Sequence, residues 1–135
     1  MTRDDYNKAL LLILVLREAR GTGLDSIRAV AHVVRNRVQA GWGTWNQVMT
    51  AHNQFSSMVI RGDPNTVWYP ADTDIDNLCS TIENVYDGKD IDLTHGALYY
   101  WNPQIATSGW FKDNIADNPD QHPQTGQFGP QVFYR

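Results

Sequence analysis

The feature that most restricts what this chain can fold into is an unbroken apolar run, Ala9 to Leu16. It lies between Asp4-Asp5 and Arg17-Glu18-Ala19-Arg20. A membrane-spanning helix needs roughly 20 such residues, and no small-residue cleavage site follows, so the run reads neither as a span nor as a leader. Acidic residues in the first turn suit the helix dipole, and Gly21 and Gly23 stop the helix. A helix from Asp4 or Asp5 to Arg20 is therefore predicted. Nearly every position from Leu10 to Leu16 is apolar, which predicts a helix surrounded by protein at the centre of the core. No part of the chain is expected to insert into a membrane.

A chain of 135 residues can bury one core, and a single domain over 1–135 is expected, acting as a monomer. A hydrophobic fraction of 41% and a charged fraction of 19% are those of a globular protein rather than a disordered one. The net charge of −4 lacks the basic field that binding to phosphates requires, so nucleic acid is excluded as a partner. One cysteine, Cys79, allows no intramolecular disulfide. The histidines His32, His52, His95 and His122 show no ligand spacing, so neither a metal nor another cofactor is expected.

Along the chain, Asp25 is placed to cap a second helix in which Ile27, Val30, Ala31, Val34 and Val38 recur at helical spacing until Gly41. Its other face carries Arg28, His32 and Arg35, read as a solvated face rather than a contact for an anionic polymer. Asn36 and Arg37 are expected to anchor this helix against the first. Short helical turns and loops follow from Gly41 to Pro70. A third clear helix is predicted from Thr73 to Asp87, with Ile75, Leu78, Cys79, Ile82, Val85 and Tyr86 inward and Gly88 as its stop. That stripe puts Cys79 in the core, as an inert thiol rather than the nucleophile of an amidase. Ala97 to Trp101 has strand composition, and Val132 to Tyr134 is its partner or another short strand. Asn114 to Pro130 reads as an ordered surface loop. The fold class is thus α+β, mostly helical, with a small antiparallel sheet.

Only two of the fifteen acidic residues are glutamates. Glu83 falls on the polar side of its helix. Glu18 follows Leu14 by four positions and Leu11 by seven, which puts it on their side of the first helix. Partial burial of a carboxylate favours the protonated form, the state from which a general acid acts. Taken alone, the position better suits a helix-end glutamate paired with Arg17, Arg20 or an arginine of the second helix.

Leu16-Arg17-Glu18-Ala19-Arg20-Gly21-Thr22-Gly23, followed by Ile27 to Val38 with its Asn36-Arg37-Val38 ending, resembles the signature block of the SleB-type cell wall hydrolases. Gln54-Phe55-Ser56, Gly96 to Pro103, Trp110-Phe111 and the closing Phe128 to Tyr134 agree in order. The first block is specific, because helix propensity does not call for Glu-Ala-Arg with Asn-Arg-Val behind it. The shorter blocks are weak one by one.

What the resemblance implies is a lysozyme-like domain whose single essential acid and base is Glu18. Its substrate would be peptidoglycan, cut between N-acetylmuramic acid and N-acetylglucosamine. A lytic transglycosylase suits one carboxylate, because the muramic 6-hydroxyl itself attacks the anomeric carbon. A hydrolytic muramidase needs a second carboxylate, for which Asp25 and Asp63 are candidates. A noncatalytic glycan-binding domain of the same fold is the alternative from another class. Gln54, Ser56, Tyr100 and Asn102 match polar positions of the blocks and are expected to line the sugar cleft, with Trp101 and Trp110 as flat apolar faces. Asn102-Pro103 reads equally as a turn, and the aromatic residues equally as core. Cleavage of the apolar run as a leader would remove the helix that carries Glu18. The protein is therefore expected in the cytoplasm of a bacterial host until membrane lesions release it to the wall, as a phage endolysin is.

Overall fold

A computed structural model describes residues 1–19, 23–51, 71–105 and 109–135. Four helices carry most of the core: α1 (Arg3–Ala19), α2 (Leu24–Gln39), α3 (Trp45–Thr50) and α4 (Asp72–Tyr86). A three-stranded sheet follows from β1 (Tyr99–Trp101), β2 (Gln124–Phe128) and β3 (Gln131–Tyr134).

Thr2 and Asp5 start α1 reciprocally: the Asp5 N–H donates to Thr2 Oγ1 at 3.1 Å, and the Thr2 N–H to Asp5 Oδ2 at 2.9 Å. This satisfies donors that a helix start leaves open. The apolar run then sends Leu11, Leu14, Val15 and Leu16 into the core. Its outer side is less covered than the uniform composition suggests, with Ile13 41% exposed. The central helix is α2, not α1. Its small and β-branched residues, Ala29, Val30, Ala31, Val33 and Val34, are fully buried, and they let α1, α3, α4, β1 and β2 all pack against it. It begins after Gly23, whose φ of 94° only glycine adopts readily, and no side chain caps it. Asp25 lies within its first turn.

A reciprocal pair also starts α3, with Thr44 Oγ1 accepting from the Gln47 N–H. Leu78, Ile82 and Val85 form the buried stripe of α4, whereas Cys79 at its flank is only partly buried. Beyond α4, Gly88 turns the chain at φ 74°. That left-handed conformation is what calls for glycine; a Cβ would also stand 2.7 Å from Arg35 Nη2, the mobile end of a side chain that can move aside.

The sheet is antiparallel in the order β1-β3-β2. β3 pairs Tyr134 with Tyr99, Phe133 with Tyr100 and Val132 with Trp101. Strand alternation sends Tyr100 and Phe133 toward the helices. Tyr99, Trp101, Val132 and Tyr134 face a second, smaller cluster with Phe111 and Ile115. The stretch Asn114 to Pro130, read as loop, contains β2 and the end of a π-turn, Lys112–Ala116, that continues a helical turn at Gly109–Phe111. Gln-Thr-Gly-Gln-Phe carries no apolar alternation because β2 is an edge strand, irregular at Gln124/Gly126, and its pairing with β3 defines it.

Among the described residues, no helix is long and apolar enough to cross a membrane.

Candidate functional site

Glu18 stands near the C-terminal end of α1 and is half-buried. Its two same-side neighbours one and two turns back, Leu14 and Leu11, are fully buried, so the helical phase read from the sequence holds. The Tyr100 hydroxyl donates to Glu18 Oε2 at 3.3 Å. This contact joins the end of α1 to β1 across 82 residues of sequence. Burial, and then the negative charge of Glu18, push the Tyr100 phenol well above its ordinary value, with Arg37 pulling the other way. Tyr100 therefore keeps its proton throughout the neutral range. Its ring stacks on Phe133 at 5.6 Å between centroids, which sets the direction of the hydroxyl.

A dense polar seam on α2 positions β1. The Arg28 guanidinium makes paired bonds to Asp90, Nη2 at 3.1 Å and Nε at 3.2 Å, and His32 Nε2 donates to the same carboxylate at 2.7 Å. Asn36 Nδ2 donates to Asp92 Oδ2 and to the Ala97 carbonyl, both at 2.9 Å, and Arg37 Nε to the Leu98 carbonyl at 2.8 Å. Charge-assisted, paired bonds of this kind are the stronger class. Burial would raise the Asp92 carboxyl, but bonds from the Thr94 and Asn36 side chains and from the Thr94 and Gly96 N–H groups outweigh it, and the net shift is downward.

This seam corrects one expectation and widens another. The Arg28 and His32 face is not solvated: His32 is 1% exposed, because the segment after α4 lies over it. Asn36 and Arg37, expected to anchor α2 against α1, also hold it to that segment and to the Ala97 and Leu98 carbonyls that lead into β1. The partner carboxylates are remote in sequence, Asp90 being 58 residues beyond His32, so periodicity within one helix could not reveal them.

The other residues singled out in the sequence are dispersed. Trp101 is turned to the opposite face of the sheet from Tyr100, stacked on Phe111 at 5.0 Å, and its Nε1–H donates to the Tyr134 hydroxyl at 3.3 Å. Asn102 Oδ1 accepts from the Gln104 N–H at 3.0 Å, an Asx turn after β1. Trp110 is 62% exposed and presents a flat apolar surface. Gln54, Ser56 and Asp63 lie outside the described residues. Asp25 faces solvent and pairs with Arg28 at 3.2 Å. Among the described residues, no group of three or more histidine, cysteine or acidic side chains could hold a metal ion. Sequence reasoning missed Ser26 and Gln131, two buried polar residues beside Glu18. A glutamine opening a strand and a serine in a first turn carry no signal of a shared contact.

The sequence profile of the cell wall hydrolase family matches residues 21–134. The chain belongs to that family. The matched residues begin at position 21, so the match itself does not take in Glu18. Solved structures extend further. The fold is similar to the catalytic domain of the germination-specific lytic transglycosylase SleB from Bacillus anthracis, at 25% identity, with a TM-score of 0.72 and coverage of 100% of this chain and 97% of that one. It is also similar to the catalytic domain of the SleB protein of Bacillus cereus, at 26% identity, with a TM-score of 0.70 and coverage of 97% and 91%. No curated protein sequence matches the chain. This family membership makes the protein an enzyme of the cell wall, with the α+β, mostly helical fold read from its sequence.

Proposed function

We propose that this enzyme cleaves the glycan strands of peptidoglycan between N-acetylmuramic acid and N-acetylglucosamine as a lytic transglycosylase, with Glu18 as its acid and base. The observation that carries the reading is the half-buried Glu18 carboxylate receiving the hydroxyl of a tyrosine that stays protonated. The likeness to a lytic transglycosylase from Bacillus anthracis supports the reaction class.

In the first half of the reaction Glu18, protonated, gives its proton to the glycosidic oxygen as the bond to the muramic anomeric carbon breaks. In the second half the same carboxylate takes the proton of the muramic 6-hydroxyl while that oxygen bonds to the anomeric carbon. The products are a 1,6-anhydro end and a free 4-hydroxyl, and Glu18 regains its proton. Tyr100 does not exchange its proton. Its hydrogen bond stabilises and orients the carboxylate in the base half-reaction. A water-activating partner is unnecessary, in keeping with Asp25 being turned to solvent. Trp110 and Asn102 offer an apolar face and polar groups after β1 for sugar rings, with Gln54 and Ser56 as further cleft residues.

Mass spectrometry of digested wall is expected to find 1,6-anhydromuramic ends. Reducing muramic ends alone would mean hydrolysis, with a second carboxylate at work.

The endolysin reading rests on the apolar run. Leu11, Leu14 and Val15 are fully buried in α1, so removing the run as a leader would remove the helix bearing Glu18. Expressed by itself, the chain is expected to leave bacteria intact until their inner membrane is permeabilised. Recovery from the periplasm without any added pore would contradict this reading.

A further inference from the structure

Gln131 opens β3 with its side chain inside the protein, 5% exposed. Its Nε2–H donates to the main-chain carbonyl of Glu18 at 3.2 Å. Its Oε1 accepts from Ser26 Oγ at 2.9 Å, and the same hydroxyl also lies 3.1 Å from the Phe128 carbonyl. Ser26, 1% exposed, has one proton to share between those two oxygens. A buried relay thus runs from the first turn of α2, through the first residue of β3, to the last turn of α1.

The last carbonyls of a helix have no intrahelical donor, and leaving one unmet away from water is destabilising. Stability alone would accept any donor. This one is oriented: Ser26 fixes the amide oxygen, which turns the amide nitrogen toward Glu18. The contact falls on the residue bearing the carboxylate, whose other end receives Tyr100 from the neighbouring strand. Glu18 is therefore held at its main chain by β3 and at its side chain by β1. Proton transfer needs heavy atoms within about 2.6–3.2 Å, so small movements of the end of α1 matter.

We infer that Gln131, oriented by Ser26, is a positioning residue for Glu18, fixing the end of α1 so that the carboxylate meets the glycosidic oxygen. This rests on the assignment of Glu18 as acid and base.

Two variants test it on defined glycan-strand oligomers. Gln131→Met keeps the length and loses the donor. At a temperature where circular dichroism shows it fully folded, kcat is expected to fall about tenfold with KM within twofold, in line with the cost of misplacing a catalytic group. Gln131→Glu keeps an acceptor for Ser26 and donates to the Glu18 carbonyl only when protonated. Its kcat relative to wild type is expected to be low at neutral pH and to recover on acidification. Wild-type kcat in folded Gln131→Met, or a deficit in Gln131→Glu that is the same at every pH, would overturn the inference, and the second variant decides if the first does not fold. Glu18→Gln run in parallel separates the two readings. If it stays active, the Glu18 assignment fails and the inference with it. If it is inactive while Gln131→Met turns over as wild type, only the inference fails.

Discussion

The two faces of the small sheet are built from neighbouring residues and serve different ends. On the helix side, Tyr100 stacks on Phe133 and donates to Glu18. On the other side, one residue along, Trp101 stacks on Phe111 and donates to Tyr134. Both are aromatic, both are half-buried and each donates a hydrogen bond, Tyr100 to the Glu18 carboxylate and Trp101 to the Tyr134 hydroxyl. A strand reverses its side chains at every residue, so adjacent positions in the Tyr-Tyr-Trp-Asn block belong to different surroundings: the proposed acid and base on one face, and the packing of the turn at 109–116 on the other.

The sharpest way to break this division is at Glu18. Glu18→Gln preserves shape and loses the transferable proton, and is expected to lower turnover by at least about 100-fold with the melting temperature little changed, since general acid-base catalysis is typically worth 10²–10⁴-fold. Turnover above about a tenth of wild type would remove the chemistry from that face.

Trp101→Ala should do the reverse. It empties part of the smaller cluster at a cost of about 2 kcal/mol, below the range for fully buried tryptophans because Trp101 is partly exposed. Denaturant unfolding should register that loss, while kcat per folded molecule stays near wild type. A large fall in KM-independent turnover would show that the outer face takes part in the reaction.

Tyr100→Phe retains the stack on Phe133 and removes only the bond to the carboxylate. A hydrogen bond to a charged group is worth roughly 1.5–3 kcal/mol when buried. For this half-buried site about a tenfold loss of kcat is expected, read from steady-state kinetics with KM alongside.

The smallest effect tests the seam that carries β1 to its place. The Asp92 carboxyl is lower in the folded protein than its ordinary 3.8, so the unfolded chain takes up its proton first as pH falls. Its stabilisation is complete above the ordinary value and is lost as pH falls through the folded one. Asp92→Asn should be less stable than wild type at pH 7, and the gap should close on acidification below about 4. A gap of constant size across an acid titration of unfolding would mean that the charge of Asp92 contributes nothing.

Helix periodicity made most of this molecule legible. The stripe Leu78, Ile82 and Val85 and the phase of Glu18 relative to Leu14 follow from 3.6 residues per turn, and composition marks both β1 and Val132 to Tyr134 as strands while leaving their pairing to the structure. Long-range polar pairing was not legible. His32 looks solvated until Asp90 is brought over it, and Gln131 is unremarkable until its amide meets the end of α1. The edge strand β2 has no apolar alternation because its partner, not its own side chains, stabilises it. The rank of the helices also escaped: α1 is the more apolar in sequence, but α2 is surrounded because its alanines and valines let neighbours approach from every side.

The strand order β1-β3-β2 sets a timetable for folding. β3 comes after β1 and β2 in the chain yet lies between them, so neither flanking strand has its hydrogen-bonding neighbour until β3 has been synthesised. Helices α1 to α4 can dock on one another while a ribosome is still working, at about 5–20 residues per second. Tyr100 and Gln131, which both contact Glu18, cannot be locked in place before residues 131–134 emerge. On the proposed assignment of Glu18, a nascent chain carries its glutamate before it carries the strand that completes the surroundings of that carboxylate.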